Sequence, residues 1–478
     1  MSLDFFAILP QIILVLAGMV ILMLEPITPP ARKGQLGKIA VVASFLAACT
    51  LSFQPARTAY AAFNGMWLAD SFSFTFQWLF FIITGVAALI AIEFNDRESI
   101  HRGEYYALLL FAGSGMSLMA ASGDLILTFL GIEILSIATY ILAGFKRTDA
   151  RSTESALKYF LLGSFATAFL LYGISLVYGS TGTTSYAAIR TIVALQGAPQ
   201  VTMVVGLGML LVGFGFKIAI VPFHAWAPDV YEGAPTAVTA FMIVGPKAAG
   251  FAALARVLIT ALPALGADWS VILWASSILT MTVGNVVALR QTNIKRMLAY
   301  SAIAHAGYIL IGMVARSAAG YRAVIFYLIA YTAMNLGALS IVLALSGKGD
   351  RRVDLEDYAG LGKTQPWPAA ALALFLISLA GIPLTGGFVG KFYLFSAAIQ
   401  QHYVALAIVG VLNSVISVYY YFRLIVLMYM KEPHAAETEP IPLPVLAVIA
   451  IAAVAVLWLG LAPTSILNLA GRSILPIQ

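Results

Sequence analysis

Residues 201–236 read VTMVVGLGMLLVGFGFKIAIVPFHAWAPDVYEGAPT. The first part is an apolar run long enough to cross a bilayer core of about 30 Å as a helix. Lys217 lies inside it, Pro222 interrupts it, and a semi-polar segment follows. Backbone broken at membrane depth is tolerated only where protein or a wet cavity surrounds it. The pattern recurs at residues 367–399, a stretch too long for one straight crossing that contains the helix breaker GIPLTGG and then Lys391. Two further charges sit in apolar runs: Lys247 in IVGPKAAGF and Glu133 in LTFLGIEILSIATY.

A charge near the bilayer centre costs roughly 2.5–3.5 kcal/mol, so these four together cost on the order of 10 kcal/mol. Leucine at each position would remove that burden. Intramembrane ionisable groups therefore read as machinery for moving charge.

Composition agrees with the membrane reading. Of 478 residues, 61% are hydrophobic and 10% charged, far below the roughly 25% charged of soluble domains. The net charge of +6 is scattered between apolar runs, which argues for topology signals and against nucleic acid. The one cysteine, Cys49, cannot build an iron–sulfur cluster or an internal disulfide. The start MSLDFFAILP lacks a basic leader region, so the run to Leu24 is expected to be the first span.

Apolar runs of about 17–25 residues predict an all-α integral membrane protein of about fourteen spans. They fall near 5–24, 36–53, 72–92, 104–121, 124–143, 154–178, 201–221, 235–259, 269–289, 294–314, 321–345, 367–399, 403–430 and 441–461. If the loop after the first span is cytoplasmic, eighteen of the 27 lysines and arginines face the cytoplasm. Six (Arg57, Arg190, Arg256, Arg316, Arg322 and Arg472) face outward, and three lie within spans. That bias puts both termini on the periplasmic side.

Spans 4–8 and 9–13 are each five helices, so the two units would be inverted relative to each other. Each has a polar residue in its second helix (Glu133; His305) and a broken, lysine-bearing fourth helix (Lys217; Lys391). The expected organisation is an N-terminal segment at 1–103, a first repeat at 104–259, an inverted second repeat at 269–430, and a last helix with a short tail at 441–478.

Burial disfavours a charged lysine and a nearby carboxylate favours it. At about 6 Å and an effective dielectric of about 20, such a pair is worth roughly 3 kcal/mol. Moving or neutralising Glu133 would then switch the protonation of Lys217, with Lys247 and Lys391 passing the proton on through ordered water. Imidazole titrates nearest neutrality, which makes His224 and His305 candidate relays.

The strings LTFLGIEILSIATYIL, GFGFKIAIVPFHAWAPDVYEGAPT, IVGPKAAGF, NIKRMLAYSAIAHAGYILIG and GIPLTGGFVGKFYLF resemble the antiporter-like membrane subunits of proton-pumping NADH:quinone oxidoreductase, respiratory complex I. Within that family the chain is most similar to the branch called subunit N. It ends about 17 residues after its last span, where the largest sister has a lateral helix, and it has lysine at 391, where the middle sister usually has glutamate.

The resemblance implies that Glu133 is the acidic partner of Lys217, that Lys247 is the central lysine, and that Lys391 is the terminal one. His224, Asp229, Lys295 and His305 lie in family-like segments. It also implies no cofactor in this chain, with FMN and iron–sulfur clusters in other subunits and quinone as acceptor. Partners would be sister antiporter-like subunits and small membrane subunits in a bacterial inner membrane.

Simpler readings stand beside these. Lys217 lies near one end of its span and could snorkel. Lys391 could anchor its helix break through backbone carbonyls. His305 could be a satisfied core histidine, and His224 could cap a helix. Asp229 reads as a loop or interface residue, and the runs KRTDARSTES and SGKGDRRVDLEDYAGLGK read as solvated cytoplasmic faces that could also touch neighbouring subunits. Segment GLGKTQPWP lacks P-loop spacing, so nucleotide binding is not expected. A related multisubunit cation/proton antiporter or membrane-bound hydrogenase would share the same charges, and a non-conducting scaffold is the third class.

Overall fold

The computed structural model describes residues 3–54, 59–196, 200–433 and 440–475, and these are mostly helical. Arg57 lies outside the described residues. The N-terminal segment holds α1 (Leu3–Ala7), α2 (Leu9–Leu24), α3 (Gly34–Leu51) and α4 (Ser71–Glu98). A small antiparallel hairpin of β1 (Tyr60–Ala62) and β2 (Trp67–Ala69) precedes α4. Next come α5 (Gly103–Ala121), α6 (Leu125–Ala143), α7 (Ala150–Thr181), α8 (Tyr186–Leu195), α9 (Val201–Ile218), α10 (Trp226–Gly233) and α11 (Thr236–Arg256). The second stretch is α12 (Gly266–Ala288), α13 (Ile294–Val314), α14 (Ala318–Leu345), α15 (Leu361–Thr364), α16 (Pro366–Ala380), α17 (Gly386–Gln400) and α18 (Val404–Met430). α19 (Leu443–Leu461) and α20 (Thr464–Arg472) follow.

Helices are the expected solution, because only they satisfy every backbone group within a single segment in lipid. Among the described residues, twelve helices are long and apolar enough to cross a membrane. The other two expected spans fall on α5 and on the pair α16–α17. α5 is 19 residues but carries Glu104, serines and glycines. The pair is interrupted, so neither 15-residue half qualifies alone.

Burial sorts the helices into a centre and a shell. α11 is buried along its whole length and α13 almost so, whereas most of α2 and of α7 is not buried. Lys247 and His305 therefore ride on the two most enclosed helices.

Both breaks are where the sequence places them. α9 stops as Ala219 turns left-handed (φ 57°), and the chain resumes as α10 seven residues later. Trp226 of α10 stacks on Tyr159 of α7 at 4.4 Å and donates to the Phe216 carbonyl at 3.0 Å, fixing the second half-helix. α16 stops at Gly381 (φ 87°), and α17 begins after Leu384, also at positive φ. α11 stays continuous through Pro246. Proline there frees the carbonyl four residues earlier, and Met242 O is taken by the Tyr231 hydroxyl at 3.4 Å.

Candidate functional site

Lys217 is in the last turn of α9 and only 5% exposed. The snorkelling reading therefore fails: its ammonium turns inward and donates to Ser136 Oγ of α6 at 2.9 Å. Ser136 in turn donates to its own helix at Ile132 O. Glu133, one turn away on α6, accepts from Thr167 Oγ1 of α7 at 2.9 Å. No direct ion pair joins Glu133 to Lys217 among the described residues, so the serine occupies the ammonium in this state. The Lys217 stem lies beside Gly250 of α11, where an added Cβ would sit 3.4 Å from Lys217 Cγ. Gly250 is three residues beyond Lys247, so α9 brings Lys217 against the helix that carries the central lysine.

Lys247 is 1% exposed. It donates to the Ala302 carbonyl of α13 and lies 5.7 Å from the ring centre of Tyr331 on α14. The Tyr331 hydroxyl donates to Ile243 O of α11 at 3.3 Å, which ties α14 to the same turn.

His305 of α13 stands between Lys247 and Lys391. Its ring is 5.5 Å from Tyr331 and 5.6 Å from Tyr308. Nδ1 is 2.6 Å from the Tyr327 hydroxyl and Nε2 is 3.1 Å from that of Tyr421. Both ring nitrogens are thus engaged, as a satisfied core histidine requires, and the same two bonds make a hydroxyl–imidazole–hydroxyl chain.

Lys391, in the first turns of α17, lies 4.7 Å from the ring centre of Tyr308. Its ammonium donates to Leu379 O and Ala380 O, each at 3.0 Å, and to Ser414 Oγ of α18 at 2.9 Å. The two carbonyls are the last of α16, groups that a helix end leaves unpaired and where its dipole favours a cation. The anchoring reading of Lys391 and its place on the line are therefore one geometry.

Three candidates lie off this line. His224 sits in the connection before α10, with Nδ1 buried and unpartnered among the described residues. Asp229 of α10 is held by Lys158 and Arg296, each at 2.7 Å. Lys295 is buried and donates to Ala234 O at 2.6 Å, capping α10, with Asp350 3.7 Å away. Asp350 also accepts from the amide and hydroxyl of Thr236, at 3.1 and 2.7 Å, at the start of α11. The loop is therefore not simply the solvated face that its sequence suggests, because Asp350 pins the most buried helix. Among the described residues no group of three histidine, cysteine or carboxylate side chains is placed to hold a metal.

Residue type alone did not mark Ser136, Thr167, Tyr308, Tyr327, Tyr331, Ser414 or Tyr421. The available signal was mid-span tyrosine, since membrane tyrosines ordinarily gather at the interfaces.

The sequence profile of the family described as "NADH:quinone oxidoreductase/Mrp antiporter, TM" matches residues 122–417. The chain is 47% identical over 470 residues to NADH-quinone oxidoreductase subunit N of Trichlorobacter lovleyi, covering 98% of this chain and 96% of the relative. Its fold superposes on a chain of respiratory complex I from Thermus thermophilus with TM-score 0.82 and 34% identity, covering 97% and 99% of the two chains. A chain of the Mrp complex from Dietzia shares the fold at TM-score 0.84 with 21% identity, covering 99% and 97%.

Proposed function

The chain belongs to the NADH:quinone oxidoreductase/Mrp antiporter membrane-subunit family, among the subunits N of NADH-quinone oxidoreductase, and we propose that Glu133, Lys217, Lys247, His305 and Lys391 form its proton path. It is a multi-pass membrane subunit of a proton-translocating oxidoreductase whose electron-transfer cofactors are in other subunits.

The observation that carries the proposal is the enclosed run from Lys247 over Tyr331 to His305, Tyr308 and Lys391. Every interval in it is short enough for one side-chain movement or one water to close. Lys217 joins this run from α9, and Glu133 modulates it from α6. When Glu133 moves toward Lys217 its charge holds the ammonium in place; when it moves away that hold is lost and the proton passes toward Lys247. His305 passes the proton between the tyrosine hydroxyls, and Lys391 holds it on the last carbonyls of α16 before release. The two five-helix units, 104–259 and 269–430, each supply one broken helix to this path. The inner membrane is the expected location, with both termini periplasmic, supported by the lysine and arginine bias between loops.

The test is proton translocation by assembled complex carrying Lys217→Ala or Glu133→Ala. Reduced pumping with normal assembly is expected, and full pumping in both variants overturns the path.

A further inference from the structure

A cavity of about 520 Å³ opens between α2, α5 and α6, at the end of α5 that follows Arg102. That is within the roughly 300–1,000 Å³ range of small-molecule sites. One wall is apolar (Leu22, Leu108, Phe111, Ile141), and Arg102, Arg147 and Glu104 also line the cavity. Leu22 and Ile141 are 39% and 48% exposed, so the apolar wall runs out onto the exposed surface of α2 and α6.

The charges lining the cavity divide into used and unused. Glu98 and Lys146 also line the cavity but hold each other at 2.7 Å, and Glu98 accepts from the Gly349 amide as well. Arg102 and Arg147 are exposed and form no ion pair among the described residues. Glu104 has a carboxylate oxygen buried without any hydrogen-bond partner there. A buried acceptor left unmade is costly, and Glu104, which lines the cavity, has no ion-pair partner among the described residues. The site thus presents two unpaired guanidiniums, one unpaired carboxylate and an apolar slot that opens on the side of the helix bundle. Guanidiniums suit phosphate oxygens, a carboxylate suits a primary ammonium, and the slot suits an acyl chain.

We propose that this cavity binds a phospholipid with a primary-amine headgroup, of the phosphatidylethanolamine type. Arg102 and Arg147 hold its phosphodiester, Glu104 its ammonium, and Leu108, Phe111 and Ile141 the upper acyl chain. Basic pockets between membrane helices commonly take lipid headgroups; the added carboxylate is what selects the amine.

The experiment uses the whole complex in nanodiscs with a photoactivatable phosphatidylethanolamine, its diazirine near the top of one acyl chain. Crosslinks are expected on α2, α5 and α6 of this chain. Unlabelled phosphatidylethanolamine should compete at least about fivefold better than phosphatidylcholine or phosphatidylglycerol. Glu104→Gln should erase that preference, and Arg102→Ala with Arg147→Ala should lower labelling by all headgroups. No labelling of these helices overturns the proposal, as a neighbouring subunit filling the cavity would produce. Equal competition by the three lipids, or a preference for phosphatidylglycerol, also overturns it, and this arm needs no variant.

Discussion

Lys217 Nζ donates to Ser136 Oγ at 2.9 Å, one turn along α6 from Glu133. The serine therefore sets where the ammonium rests when the carboxylate is turned toward Thr167. Hydrogen bonds to charged groups are worth about 1.5–3 kcal/mol. Ser136→Ala is expected to slow proton transfer through Lys217 about 10–100-fold in assembled complex, and Ser136→Thr to retain most of the rate. Stopped-flow pumping assays on both variants check this.

His305 distinguishes relay from scaffold. Glutamine can keep hydrogen bonds to Tyr327 and Tyr421 but cannot pass a proton by protonating and deprotonating near neutral pH. Loss of pumping in His305→Gln, with assembly retained, is the expected outcome. Normal pumping in that variant would reduce His305 to a packing group.

Gly381 has φ 87°, and a Cβ there would sit 2.9 Å from Lys391 Cδ. An alanine pays backbone strain of about 1–3 kcal/mol and displaces the lysine from the α16 carbonyls. Gly381→Ala is expected to lower pumping several-fold. In a Lys391→Ala background the steric part disappears, so the additional loss on adding Gly381→Ala should be smaller than in the native background. A double-mutant cycle on pumping rate measures the difference.

Arg256 is 1% exposed and bridges Asp70 with two nitrogens, at 2.5 and 2.9 Å, while donating to Ala120 O. Removing one partner of a fully buried pair costs about 3–5 kcal/mol; with Asp70 23% exposed the cost is smaller, so Asp70→Asn should lower thermal stability measurably while Asp70→Asn with Arg256→Met recovers much of it. Burial pushes the Asp70 carboxyl up, but the Arg256 guanidinium and the Ser73 cap outweigh this and hold it below the usual range. A depressed folded value stabilises the protein above the unfolded value, near 3.9, and the contribution is lost as pH falls through the folded value. Thermal unfolding of purified complex should therefore show an Asp70-dependent loss only below about pH 4.

Much of this architecture is legible in the sequence because lipid makes errors expensive. A lysine inside an apolar run, or GIPLTGG in a span, has few readings, and Lys247, Lys391 and both breaks are where those signals put them. The tyrosines between the lysines were hidden because tyrosine suits a core, an interface and a relay alike. Asp350 was hidden for the opposite reason: it stands in a loop crowded with exposed charges, and only the fold brings it to Thr236 and Lys295. Lys217 was ambiguous in depth, which depends on α6 packing across its ammonium and not on its own neighbours in sequence.

The most direct measurement is proton translocation by assembled complex in liposomes carrying Lys247→Met, which keeps the volume in the most buried helix and removes the charge. Pumping at least about tenfold slower is expected, equivalent to about 1.4 kcal/mol. NADH oxidation by an artificial acceptor, which bypasses the membrane arm, should stay at the native rate. Native-rate pumping with normal assembly would contradict the path through Lys247.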